Sequence, residues 1–182
     1  MKVITKEEFD SFPVVDGYKQ CPSGDYSKIT LFQDRCTFGD NCKFGSLSNF
    51  IRCCIFGENC IFGDDCNFIQ RCYFGSNCSF GICCNFGKCC IFSECKIGHD
   101  SSFGECCIFE GKCIFENEHV AKTGYPLLTF NGFGSVNGTI YFFNCEDGIF
   151  VRYHTFFGTI EQFKEQFKYY LMISDFVEKN WR

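Results

Sequence analysis

Cysteine is the residue of this chain best equipped for chemistry, and it makes up 18 of the 182 residues. A thiolate can attack an electrophile, exchange with a disulfide or hold a soft metal ion. Spacing decides among these. A zinc site gathers thiolates at one point through close pairs such as Cys-x-x-Cys. Here Cys36, Cys42, Cys54, Cys60, Cys66, Cys72, Cys78, Cys84 and Cys90 arrive singly on a six-residue beat, and Cys95, Cys107 and Cys113 continue it after one lost residue. Ser48 and Ser101 stand in the same series, so the position asks for a small side chain rather than a thiol. No metal site and no cofactor are expected. Vicinal pairs Cys53-Cys54, Cys83-Cys84, Cys89-Cys90 and Cys106-Cys107 add second members, and on an extended chain one of each pair faces in and the other out. Cys53, Cys89 and Cys106 then share an outer column with Arg71 interposed. Solvent-facing packing is the plain reading of that column, and surface thiol reactivity the alternative.

Two other constellations carry polar chemistry. Asn49, Asn67 and Asn85 recur at eighteen residues, with Arg52, Gln70, Arg71 and Lys88 at the neighbouring corner. Amide and cationic donors on a regular spacing suit phosphate or a nucleotide. The alternative is that the amides steady the corners and the charges keep the surface wet. The candidate general bases are His99, His119 and His154, of which His99 sits in the turn-like "KIGHDSSFG". The Gly-rich "GFGSVNG" at 132–138 lacks the Lys-Ser/Thr ending of a phosphate loop and reads as a connector.

The elements that position these groups follow from the aromatic series. Phe38, Phe44, Phe50, Phe56, Phe62, Phe68, Phe74, Phe80, Phe86 and Phe92 keep step with the cysteines, and Ile97, Phe103, Phe109 and Phe115 resume after the lost residue. Residues two apart on a strand share a face, so each Cys-x-Phe points both ends into a core. A glycine usually follows the Phe and is read as the residue that turns the corner. Short strands with a corner every six residues make a solenoid whose laps bury their inward side chains on one another. The Asn-Phe recurrence at eighteen sets three strands to the lap. The outward residues then fall into columns: Thr37, Ile55, Tyr73, Ile91 and Ile108 on the first face, Lys43, Ile61, Ser79, Lys96 and Ile114 on the second, and Asn49, Asn67, Asn85 and Ser102 on the third. The first is an apolar stripe that something is expected to cover.

Read as Phe-Gly-x-x-Cys-x, the repeat resembles the hexapeptide repeat of left-handed parallel β-helices, departing from it in using Phe where that family has a smaller aliphatic residue. The resemblance implies a mainly β, three-sided solenoid with 18-residue coils over 32–118. It also implies a homo-oligomer, a trimer foremost, and brings acyltransferase activity into view, since enzymes of that fold use a His as general base between subunits beside a loop that leaves the coils. No long loop interrupts these repeats. A second resemblance spans most of the chain: "CPSGDY", the repeated Cys-x-Phe-Gly and "YFF…FVRYHTFFGTIEQF" look like phage and prophage proteins with Cys-Ser-Phe-Gly repeats. That resemblance implies a viral or mobile-element origin and little chemistry; taken with the charged column of the third face, it makes sequestering a host nucleotide or blocking a host protein the expected use.

The flanks read as accessories. Residues 1–31 are expected to cap the first coil, with a short helix opened by a capping box at Thr5 and Glu8 and closed by Pro13. Residues 119–182 are expected to form a β-hairpin around Asn144–Gly148, then an amphipathic helix opened by Thr159 and Gln162 and carrying Phe163, Phe167, Tyr170 and Leu171. Its partner is expected to be the apolar stripe or the same region of another subunit, making Ile55, Tyr73, Ile91, Ile108, Phe163 and Phe167 the expected interface. A net charge of −5 argues against a broad nucleic-acid surface. No apolar run is long enough for a membrane span. The charged opening "MKVITKEEFD" lacks the apolar core of a signal peptide, so a reducing cytoplasm, that of a bacterial host for a phage protein, and free thiols are expected. The leading functional expectation is a non-enzymatic binding protein, with a structural oligomerisation module and acyl transfer as alternatives.

Overall fold

Six residues cannot close a turn of solenoid, but three short strands joined by three tight corners can, and the eighteen-residue beat builds that triangle. The computed structural model describes residues 1–115, 119–124, 126–133, 138–168 and 171–181. Three parallel sheets form the walls. Wall one stacks Tyr18–Cys21, Cys36–Phe38, Ile55–Phe56, Tyr73–Phe74, Ile91–Ser93 and Ile108–Glu110. Wall two stacks Lys43–Phe44, Ile61–Phe62, Ser79–Phe80, Lys96–Ile97 and Ile114–Phe115, and wall three Leu31–Phe32, Asn49–Arg52, Asn67–Gln70, Asn85–Lys88 and Ser102–Phe103. Tyr73 pairs with Ile55 and Ile91, Ser79 with Ile61 and Lys96, and Asn85 with Asn67 and Ser102. The columns are those the sequence sets out, and the three-walled parallel solenoid is the fold.

Phenylalanine fills the triangle. Along a wall the rings stack flat, as Phe50 on Phe68 at 4.8 Å and Phe68 on Phe86 at 5.1 Å. Across walls they meet edge to face, as Phe56 and Phe62 at 4.9 Å and 87°. Both arrangements suit the ring quadrupole. Three rings per lap leave room only for small side chains beside them. That residual space takes the thiols, several of which donate to the carbonyl three residues back at the corner: Cys42 Sγ to Gly39 O at 3.1 Å, Cys66 Sγ to Gly63 O at 3.2 Å. Ser48 and Ser101 make the same bond, at 2.7 and 2.8 Å. The exchange of Cys for Ser is thus an exchange of small donors.

The corner works differently from the sequence reading. Left-handed backbone falls not on the glycine after each Phe but on the residue before the Cys, including Asn59 (φ 57), Asp65 (φ 56) and Asn77 (φ 61), and also Cys53, Arg71, Cys83, Cys89 and Cys106; at Cys113 it falls one residue earlier, on Gly111 (φ 63). The glycines serve close approach instead. A Cβ on Gly87 would lie 1.6 Å from the Ile69 carbonyl oxygen, and one on Gly57 2.7 Å from the Asp40 nitrogen. The lost residue shortens one corner, where Glu94 (φ 48) is the left-handed residue between Phe92 and Cys95. In the same lap Ile97 pairs with Phe80, so the stack of rings on wall two breaks there.

The solenoid begins inside the segment expected as a cap. Cys21 pairs with Phe38, Tyr26 stacks on Phe44 at 5.5 Å, and Phe32 stacks on Phe50 at 4.5 Å. The true lid is helix α1 (Lys6–Ser11), opened by the expected Thr5/Glu8 box, whose Phe9 meets Phe32 at 5.4 Å and 88°.

At the other end the expected hairpin is the centre of a four-stranded antiparallel sheet: Leu127–Phe133, Gly138–Cys145, Gly148–Tyr153 and Phe156–Thr159. Cys145 pairs with Gly148, so the turn is tighter than the Asn144–Gly148 loop expected. The sheet is a layer with two buried faces. Phe143, Cys145 and Phe150 close the solenoid core, while Ile140, Phe142, Val151 and Tyr153 pack on helices α2 (Ile160–Gln166) and α3 (Leu171–Trp181). One amphipathic helix was expected; two form, separated at Phe167 (φ −118, ψ 60). A single helix over that span would run about 33 Å, well past the width of four strands about 4.8 Å apart. Among the described residues no helix is long and apolar enough to cross a membrane. The expected solenoid boundary at 118, Tyr170 of the expected helix face and most of the Gly-rich connector lie outside the described residues.

Candidate binding cleft

Wall three carries the amides because its strands are the long ones. Asn49–Arg52, Asn67–Gln70 and Asn85–Lys88 each extend past the Phe, so Arg52, Gln70 and Lys88 fall into register as a second row beside Asn49, Asn67 and Asn85. The amides bond along the column: Asn85 Nδ2 donates to Asn67 Oδ1 at 3.2 Å, and Ser102 Oγ to Asn85 Oδ1 at 2.9 Å. The Asn49 Oδ1 atom is buried without a hydrogen-bond partner. The second row is nearly neutralised. Arg52 Nε donates to Asp34, and Lys88 Nζ sits 2.8 Å from Glu105. Arg71 stands outside both rows at its left-handed corner. The structure therefore brings the predicted amides together and ties two of the three predicted cations to carboxylates on adjacent laps.

The amide column ends in a cleft. Ser102 lies at its top, where a hollow of about 210 Å³ is lined by Asp100, Ser102, Thr139, Tyr141, Arg152 and His154. Asp100 and Ser102 come from the solenoid and the other four from the antiparallel sheet, so the cleft exists only where the two meet. Arg152 is its fixed point. Alternation along Gly148–Tyr153 points it at the solenoid, where it is 7% exposed, lies over the Tyr141 ring at 4.5 Å and donates through Nη2 to the Ser101 carbonyl. A buried guanidinium with aromatic and carbonyl partners is held in one orientation. His154 occupies the left-handed turn after that strand (φ 53). Gly138 makes room for its ring, since a Cβ there would lie 2.8 Å from His154 Nε2. Asp100 sits 2.7 Å from His99 Nδ1, and Thr139 Oγ1 donates to Asn131 at 2.7 Å. His154 also borders a larger hollow of about 450 Å³ with Thr155, Phe156, Phe157, Gln166 and Phe167.

A guanidinium, an imidazole and a phenol around one small hollow can hold an oxyanion, beside the Ser102 and Thr139 hydroxyls whose protons go to Asn85 and Asn131, and Asp100 can accept from a donor on the same ligand. The remaining histidine is elsewhere: His119 lies flat on Phe150 at 3.7 Å with Asp147 2.6 Å from its Nδ1, closing the solenoid end. Burial pushes the Cys113 and Cys145 thiols in that end region up to about 12.

The expected interface residues separate. Ile55 and Tyr73 are 38% and 40% exposed, Ile91 and Ile108 half-buried. Phe163 is buried in the C-terminal module against Phe142, Tyr153 and Phe156, and Phe167 packs on Tyr153 and Phe156. The helical face thus takes its own sheet as partner and leaves the wall-one stripe open. The sequence reading passed over Asp100, Thr139, Tyr141 and Arg152. One signal was present: a lone Arg inside the apolar run "GIFVRY", a residue type that is buried only when paired. Searches against protein-family models, curated proteins and solved structures found no match to this chain.

Proposed function

We propose that this chain is a non-enzymatic binding protein that holds a small phosphate-bearing ligand, with nucleotides as the class, its phosphate in the Arg152 cleft and its remainder along the wall-three amides. The observation that carries this reading is the convergence of Arg152, His154 and Thr139 of the sheet on the end of a continuous hydrogen-bonding column that runs Asn67, Asn85, Ser102. A hollow of about 210 Å³ accommodates a phosphate group, and the column outside it offers amide donors and acceptors to a base or sugar. The resemblance to phage repeat proteins makes sequestration of a host signalling nucleotide the physiological role that fits. The test is a thermal-shift and calorimetric screen of nucleotides on the purified chain, with mass spectrometry of anything that co-purifies. His154→Ala and Thr139→Val should abolish the ligand-induced shift while leaving the ligand-free melting temperature within about 2 °C. A screen with no binder, or variants that bind as the parent does, would refute it. Acceptor-dependent release of CoA from acyl-CoA, with the acyl group recovered on the acceptor rather than on water or the protein's own thiols, would instead establish acyl transfer.

The open stripe favours a second reading, in which wall one assembles copies of the chain into a trimer. Ile55 and Tyr73 are exposed because the C-terminal helices pack elsewhere. Light scattering that reports a monomer at high concentration would exclude it.

A further inference from the structure

The outer column at the corner between walls three and one holds two thiols one lap apart. The Cys89 N–H donates to the Glu105 carbonyl at 2.9 Å, which sets Cys89 beside Cys106, and the flanking pairs Asn85–Ser102 and Ile91–Ile108 fix the same register. Both residues are exposed and both are left-handed, at φ 58 and 59. Equivalent residues on in-register parallel strands about 4.8 Å apart send their side chains out side by side. Their Cα atoms then stand near that spacing, close enough for both sulfurs to meet one ion. Two metal–sulfur bonds of about 2.3 Å, the zinc–thiolate length, span in line about 4.6 Å between the sulfurs, a separation that rotation of the two side chains sets. The other outward thiols lack this arrangement. Cys53 is separated from Cys89 by Arg71 in the column, and Cys83 lies beside Asp65 and Asp100.

Among the described residues no group of three or more His, Cys, Asp or Glu side chains could hold an ion, so the pair offers the chemistry of two ligands and not that of a tetrahedral zinc site. Thiolates select soft ions.

From these observations we infer that Cys89 and Cys106 form a two-coordinate surface site for a soft monovalent cation of the Cu(I) type. Binding releases two protons: two thiols and one cation give a bis-thiolate complex of charge −1 and two protons, with no change of oxidation state. This site is independent of the cleft.

The test uses the reduced full chain and Ag(I), a soft monovalent probe that stays in one oxidation state, followed by brief alkylation and mass spectrometry. One equivalent of Ag(I) should protect Cys89 and Cys106 together while Cys53 and Cys83 stay reactive. Cys89→Ser should remove the protection of Cys106 and weaken binding by roughly 10²- to 10⁴-fold, the usual gain from joining two ligands in one scaffold. Cys53→Ser should change neither. Circular dichroism of the variants before titration separates loss of the site from loss of fold. The proposal falls if Cys89→Ser binds as tightly as the parent, or if protection spreads over Cys53 and Cys83.

Discussion

Gly87 is required for what its missing side chain would strike, and Gly124 for its backbone angle, so the two make a controlled pair. A Cβ at 87 meets a backbone carbonyl at 1.6 Å, and the neighbouring lap cannot retreat without breaking its own ladder. Gly124 has φ +99 with nothing within 4 Å. Gly124→Ala should cost about 1 to 2 kcal/mol of backbone strain, whereas Gly87→Ala should exceed about 3 kcal/mol, at or beyond the usual cost of overpacking. Urea unfolding of both variants orders them, and equal costs would mean the laps can separate. The thiols make a second prediction. Burial raises Cys113 and Cys145 from about 9 to about 12, so between those values the unfolded chain releases protons that the folded chain keeps. Stability should be unaffected by these groups below pH 9 and fall above it, by about 1.4 kcal/mol per pH unit for each thiol. Melts taken from pH 8 to 11 read the slope, and Cys113→Ser should remove its share.

At the scale of elements, both helix starts that the sequence announces are real capping boxes. Thr159 Oγ1 accepts from the Gln162 N–H at 3.3 Å while Gln162 Oε1 accepts from the Thr159 N–H at 2.8 Å. Thr159→Ala should cost about 1 kcal/mol and loosen α2, which carries the buried Ile160 and Phe163. Hydrogen exchange should quicken in α2 and the strand Phe156–Thr159 and stay unchanged in walls one to three; uniform quickening would show that solenoid and sheet open as one unit. The elements were legible from periodicity where a single rule applied. Cys-x-Phe alternation gave the strands and their columns because period two is enforced on every lap. The strands of the C-terminal sheet were legible as strands, but "YFFNC" does not alternate, since both faces of that layer are buried. Which residues faced the solenoid was therefore hidden, and with it the inward Arg152.

For the whole molecule, a solenoid has two open ends, and each exposes a triangle of aromatic rings. Phe9 covers one, and Phe143, 5.3 Å from Phe115 and 6.4 Å from Phe103, covers the other. Phe143→Asp should cost more than about 3 kcal/mol by placing a charge on that apolar end. Because each lap touches chiefly its neighbours, the loss should show first in the laps around Phe103 and Phe109 and fade toward Phe38. Hydrogen-exchange mass spectrometry tests the gradient, and an all-or-none collapse would contradict it.

The sequence by itself determined the three walls, the eighteen-residue lap, the inward Cys and Phe and the outward columns, because an interior repeated every six residues admits one register. Tertiary structure alone decided that the amide column ends beneath Arg152 and that the helices pack on the sheet rather than on wall one. Those outcomes depend on how the C-terminal layer docks and on how a shortened corner resets the stack. No local pattern encodes either, since each is fixed by burial between segments distant in the chain.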